Sequence, residues 1–148
     1  IAGLAALGTQ HDYIIMFLAH AQALAGAIED ALETISQILQ PNRSDANLSW
    51  PEALRLRGEL QTKQGHREPA EADFRTALTL ARSMDAKAWE LRATTSLARL
   101  LRDTGRRDEA RTMLAEIYNW FTEGFDTADL KEAKALLEEL GSAGVRLA

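Results

Sequence analysis

At 148 residues, 46% hydrophobic and 26% charged, the chain can bury one continuous core, and a second domain is not expected. Its formal net charge of -5 argues against the concentrated basic surface that non-specific nucleic-acid binding needs. Without cysteine there is no disulfide framework, thiolate metal site or cysteine nucleophile, and the cytoplasm is the default compartment.

Residues 2–25 carry Leu4, Leu7, Tyr13, Ile14, Ile15, Phe17, Leu18 and Leu24 around much of a helical circumference, which predicts a helix covered on more than one side, with part of that cover expected from residues upstream of Ile1. The most apolar run, Tyr13 to Ile28, is interrupted by His20 and Gln22 and has no basic leader, so neither a membrane span nor a signal peptide is expected. The chain opens at Ile1 inside this apolar pattern, as a fragment of a longer protein would. After Gly26, the recurrence of Ile28, Leu32, Ile35, Ile38 and Leu39 predicts an amphipathic helix that Pro41 ends. The polar stretch Pro41 to Leu48 reads as a connection.

Ser49-Trp50-Pro51-Glu52 has the pattern of a capping box and starts a helix to about Gln64, with Leu54, Leu56 and Leu60 inward and Gly58 as an interior small residue. Its partner, about Glu68 to Ser83, places Ala70, Phe74, Ala77, Leu78 and Ala81 on one face, with Phe74 as the knob. Asp85 is the expected cap of a helix from Ala86 to Thr104 with Trp89, Ala93, Leu97, Leu100 and Leu101 inward. A helix from about Asp108 to Phe121 buries Ala110, Leu114, Ile117 and Tyr118. Thr122 to Phe125 breaks the pattern, and Asp126 or Thr127 caps a last helix that carries Leu130, Ala133, Leu136, Leu137 and Leu140 and stops at Gly141. The tail from Ser142 to Ala148 is expected to fray.

Three turns share one pattern, Gly-x-x-acid-x-Ala, at Gly26 to Ala31, Gly65 to Ala70 and Gly105 to Ala110. Glycine ends a helix because it enters the left-handed region at little cost. The acid falls in the first turn of the next helix, where the macrodipole favours it, and alanine lets the two helices approach. A period near forty residues marks a stacked-repeat, all-α architecture of antiparallel helical hairpins. The repeats span about 5–40, 50–84 and 86–121, with a capping helix at about 127–140, all in one domain.

No catalytic constellation emerges. His11, His20 and His66 lack ligand spacing, so no metal is expected. No nucleophile elbow or phosphate-cradling glycine loop is present, and no cofactor is implied. Adjacent acids such as Glu138 and Glu139 diverge by about 100° on a helix, which is poor geometry for an acid/base pair.

With these positions fixed, the chain resembles the tetratricopeptide repeat. Residues 51–82 match its small, glycine, alanine, aromatic and alanine positions with Gly58, Gly65, Ala70, Phe74 and Ala77. Residues 91–117 match with Ala98, Gly105 and Ala110, where Leu114 replaces the aromatic and Ile117 the second alanine. Residues 12–38 match with Ala19, Gly26 and Ala31, where Ile35 and Ile38 differ. The period is stretched from that family's roughly thirty-four residues. A narrower resemblance, over about residues 50–140, rests on Leu54 to Leu60 and on Trp120 to Thr127. It is to the C-terminal repeats of large bacterial signalling proteins, in which a class III adenylate or guanylate cyclase domain, or a DNA-binding domain, is joined to an ATPase module.

The resemblance implies a right-handed superhelix whose first helices line a concave groove. It places there Tyr13, Met16, His20, Arg55, Glu59, Arg92, Thr95, Arg99 and Arg102, along with Glu52, Thr62 and Lys63. Arg92, Arg99 and Arg102 fall on one helical face, with Arg55 able to join them, as a candidate carboxylate-binding stripe. The competing reading is ordinary intrahelical pairing of Glu52 with Arg55, Arg55 with Glu59, Glu59 with Lys63 and Arg99 with Asp103. Trp120, Phe121 and Phe125 form either a docking patch or the packing of the last helix, and Trp50 covers the end of a helix pair. The expected function is non-catalytic: binding of a protein segment or of another domain of the parent chain, with no direct nucleic-acid or membrane contact. The alternative is self-association into a homo-oligomer through the apolar N-terminal helix.

Overall fold

The computed structural model describes residues 2–41 and 48–145, and the side chains of 10–41 and 48–141. The described residues form seven α-helices and no strand. These are α1 (Ala2–Leu24), α2 (Ile28–Ser36), α3 (Trp50–Lys63), α4 (Arg67–Ser83), α5 (Lys87–Asp103), α6 (Arg107–Tyr118) and α7 (Ala128–Val145). The all-α expectation holds. Leu4, Leu7, most of the Pro41 to Leu48 connection and the end of the tail lie outside the described residues or side chains. None of the helices is long and apolar enough to cross a membrane.

One turn is used repeatedly. Gly26, Gly65 and Gly105 have φ of 83°, 82° and 83°, a region closed to most side chains. In each case the next amide donates five residues back: Ala27 to the Gln22 carbonyl, His66 to Gln61 and Arg106 to Leu101. The glycine amide donates three back, to Ala23, Thr62 and Arg102 respectively. This pair of bonds satisfies carbonyls that a helix end otherwise leaves open. The following helices carry acids in their first turns, Glu29 and Asp30, Glu68, and Asp108 and Glu109.

Asp85 makes the fourth such turn. It has φ 52°, and Ala86 donates to the Ala81 carbonyl at 2.9 Å. Asp85 therefore closes α4 and does not cap α5, whose N-cap is Ala86 with no side-chain bond. Aspartate is among the few residues that tolerate this conformation. The capping box at Ser49 is also not made. Ser49 Oγ donates to Asp12 Oδ2 at 2.5 Å, and Glu52 accepts from Arg55. Asp12 is 1% exposed, and a buried carboxylate left without a donor is costly, so the Ser49 hydroxyl is used there. Gly141 does not stop α7, which continues to Val145. Without a positive φ, glycine is only a weak helix former costing about 1 kcal/mol.

The chain divides into two compact units, Ile1–Leu80 and Ala81–Ala148. In the first, α1, α2 and α3 enclose Ile15, Met16, Ala19, Ala31, Ile35, Ile38, Ala53, Leu56 and Leu60. Trp50 lies half-buried against this core, and its Nε1 donates to the Ile38 carbonyl. Phe74 of α4 fills the space left by Gly58 of α3, and Arg57 grips Asp73 with two bonds of 2.7 and 2.8 Å. In the second unit α5 packs on both α6 and α7. Its buried Leu91, Ala93, Leu97, Leu100 and Leu101 share the core with Ala110, Leu114 and Ile117 of α6 and with Leu130, Ala133, Leu136 and Leu140 of α7. Trp89, Tyr118 and Leu137, expected inward, are only half-buried.

Among the described side chains α1 is covered on one side only, and the second cover that its apolar circumference predicts is not supplied by them. Asp12, Ile15, Met16 and Ala19 are buried, whereas Tyr13, Ile14, Phe17, Leu18 and Leu24 are exposed. Residues at steps of three and four share one face of a helix. Among the described side chains of α1, those packed against α2 and α3 lie on the face carrying Met16.

Candidate functional site

In the first unit Arg55 is held within its own helix. Its guanidinium donates to both Glu52 oxygens, at 2.9 and 2.6 Å, and to Glu59 at 2.6 Å. The side chain is 13% exposed, so this clamp keeps its charge satisfied along α3. Thr62 donates to the Gly58 carbonyl. The three groove positions of α1 divide between its faces. Tyr13 and His20 are exposed, and Met16 is in the core.

In the second unit the arginine stripe of α5 faces carboxylates of α7. Arg92 lies 3.7 Å from Asp129, Arg99 3.1 Å from Glu132 and Arg102 2.9 Å from Glu139. The pairs ascend together along both helices, so α5 and α7 run parallel. Arg107 of α6 adds a 2.9 Å bond to the Glu139 carbonyl. Hydrogen bonding to Asp103, then the nearby charges of Asp103 and Glu139, holds the Arg102 guanidinium above the ordinary arginine range despite partial burial. Asp103 is engaged by Arg102, not by Arg99 as the intrahelical reading expected. Thr95 is 4% exposed, and its hydroxyl donates to the Leu91 carbonyl. The stripe thus meets three carboxylates from a separate helix.

Beside it, the α6–α7 connection carries an aromatic cluster. Trp120 meets Phe121 edge to face at 5.1 Å, and Tyr118 meets Phe125 at 5.8 Å. Lys87 sits 5.6 Å from the Trp120 ring centre, within cation–π range. A cavity of about 470 Å³ is lined by Ala88, Leu91, Trp120, Phe121, Gly124 and Leu130, among others. Trp120 is 57% and Phe125 45% exposed, so both rings stay partly outside the packing of α7.

The outer face of α1, which carries the self-association alternative, is open in the described structure. Phe17 and Leu24 are 77% and 75% exposed. The signal was present in the three-four-three spacing of Ile14, Phe17, Ala21 and Leu24, which specifies one apolar stripe. Among the described residues no group of His, Asp and Glu could hold a metal ion. No protein-family model matches the chain, and no curated protein matches it closely enough to be counted a relative.

Proposed function

We propose that the chain is a non-catalytic interaction or regulatory module, similar to stacked tetratricopeptide repeats capped by α7, that holds a protein segment or another domain of its parent chain. The setting that fits this reading is the repeat region of a bacterial signalling protein of the cyclase or transcriptional-regulator type, joined to an ATPase module, in the cytoplasm. The recurrence of one turn at Gly26, Gly65 and Gly105 supports the repeat.

The observation that carries the functional reading is the α5 stripe. Arg92, Arg99 and Arg102 each meet a carboxylate of α7, so this face already binds an acidic helix. Arginine is suited to this because its planar fork matches the carboxylate. The test is selection of displayed random peptides on the whole chain. Acidic sequences should be enriched and should lose binding to the double variant Arg92→Glu, Arg99→Glu while its helical circular dichroism is unchanged. Enriched peptides indifferent to that reversal would remove the assignment. The exposed face of α1 favours the second reading, self-association.

A further inference from the structure

Most of the exposed large hydrophobic side chains among the described residues lie on the outer face of α1. Tyr13, Ile14, Phe17, Leu18 and Leu24 are 49%, 68%, 77%, 51% and 75% exposed, and all lie within twelve residues. If each large side chain offers about 200 Å² when free, the stripe presents roughly 600 Å² of apolar surface. That is at the upper end of what a monomer ordinarily leaves in one patch, about 300–600 Å².

We infer that this stripe is the interface of a two-fold homodimer in which α1 packs antiparallel on α1 of a second copy. This rests on the stripe alone and not on the α5 arginines. Three features favour a second copy over an unrelated partner. The first is area: two such faces bury roughly 1,200 Å² together, which reaches the lower bound of a standard stable interface, about 1,200–2,000 Å².

The second feature is charge. From Tyr13 to Ile28 there is no lysine, arginine, aspartate or glutamate. A charged or oriented partner would find nothing to pair with, whereas a copy of the same surface loses no ionic hydration on docking.

The third feature is shape. Ile14, Phe17, Ala21 and Leu24 follow the three-four-three spacing of a knobs-into-holes seam, flanked by Tyr13, Leu18 and Ala25. An antiparallel pairing centred at the level of residue 19 sets Phe17 against Ala21 of the other copy and Tyr13 against Ala25. It also sets Ile14 against Leu24. Large residues meet small ones at both aromatic positions, and the patch complements itself as a two-fold interface requires.

Sedimentation of the full chain from micromolar to millimolar concentration tests this. The expected result is a concentration-dependent shift from monomer to dimer. Phe17→Glu and Leu24→Glu, both at exposed positions, should each move the midpoint at least tenfold toward monomer with the helical circular dichroism unchanged. A wild-type chain that stays monomeric throughout overturns the proposal, including the case where this face instead binds a different protein. A dimer that ignores both substitutions overturns it equally.

Discussion

A Cβ placed on Gly58 would lie 2.5 Å from Cε1 of Phe74 and 2.8 Å from its Cδ1. Phe74 is 1% exposed, so its ring has no free space to swing into. Gly58→Ala should therefore destabilise the first unit by about 1–3 kcal/mol through overpacking, despite the roughly 1 kcal/mol that alanine returns in helix propensity. The clash is pairwise, so in a Phe74→Leu background the same change should be neutral or stabilising. Denaturant unfolding of the four chains in a double-mutant cycle measures the coupling. Equal effects in both backgrounds would show that the ring is not the obstacle.

Asp85 is the one non-glycine among the described residues with positive φ. Its side chain is 90% exposed, and its nearest cation, Lys87, is 3.9 Å away and also bound to Glu90. Little holds aspartate there except its tolerance of the left-handed region. Asp85→Gly should relieve about 1 kcal/mol of conformational strain and raise the melting temperature by a few degrees. Gly65→Ala and Gly105→Ala, at φ 82° and 83°, should lower it by a similar amount. A destabilised Asp85→Gly would show that the carboxylate is needed there.

These positions show where the sequence is legible. The turns at Gly26, Gly65 and Gly105 could be read directly, because a positive φ restricts residue choice and the pattern recurs every 39 or 40 residues. Gly58 and Phe74 were readable for a related reason: a small residue inside one helix and a ring on the next imply close approach. Asp85 and Ser49 are not legible in this way, because both residue types serve caps and other roles equally well, and what decides between these lies elsewhere in the chain. For Ser49 the deciding group is Asp12, 37 residues away. The arginine stripe was visible as spacing on α5, but its partners on α7 depend on the register of two helices, which no local pattern fixes.

Ser49→Asp separates its two possible roles. A serine acting only as an N-cap is replaced by aspartate with little loss. Here the new carboxylate would face that of Asp12, which is 1% exposed and accepts from Ser49 at 2.5 Å. Like charges at such a distance in a buried site are strongly unfavourable. Ser49→Asp should cost more than Ser49→Ala, itself about 1–3 kcal/mol from the donor withdrawn from a buried carboxylate. The order of the two midpoints in urea is the readout, and Ser49→Asp matching wild type would restore the capping role.

The Arg57–Asp73 bridge should hold through neutral and alkaline pH. Hydrogen bonding and charge from Asp73 raise the Arg57 pKa against partial desolvation. A folded-state pKa above the unfolded one means that the stabilisation is complete below the unfolded value and is lost only as pH passes the folded one. That window lies above the ordinary arginine range, so Arg57 contributes no pH dependence between pH 7 and 10. Arg57→Lys, which cannot reproduce the two-pronged bond, should lose about 1 kcal/mol. The difference between Arg57→Lys and wild type should stay flat across that pH range in thermal melts. A difference that grows with pH would place the titration of the substituted lysine, not the lost geometry, at the root of the effect.

The α5–α7 face separates adhesion from register. Leu130, Leu136 and Leu140 are each 3–4% exposed, whereas Glu132 and Glu139 are more than half exposed at their side chains. Burial of the leucines supplies the attraction, and Leu136→Ala should cost about 2–5 kcal/mol whatever the salt. The carboxylates act through water-screened pairs worth about 0–1 kcal/mol each. Asp129→Asn, Glu132→Gln and Glu139→Gln together should therefore cost about 1 kcal/mol at low salt and almost nothing near 1 M, where the screening length falls to about 3 Å. Hydrogen exchange along α7 should loosen in the triple variant at low salt while the α5 and α6 amides stay protected. If the triple variant instead unfolds the whole unit and salt does not restore it, the pairs hold α7 down and the leucines only fill space. A binding function for the arginine stripe would then require removal of α7 before any acidic partner could reach it.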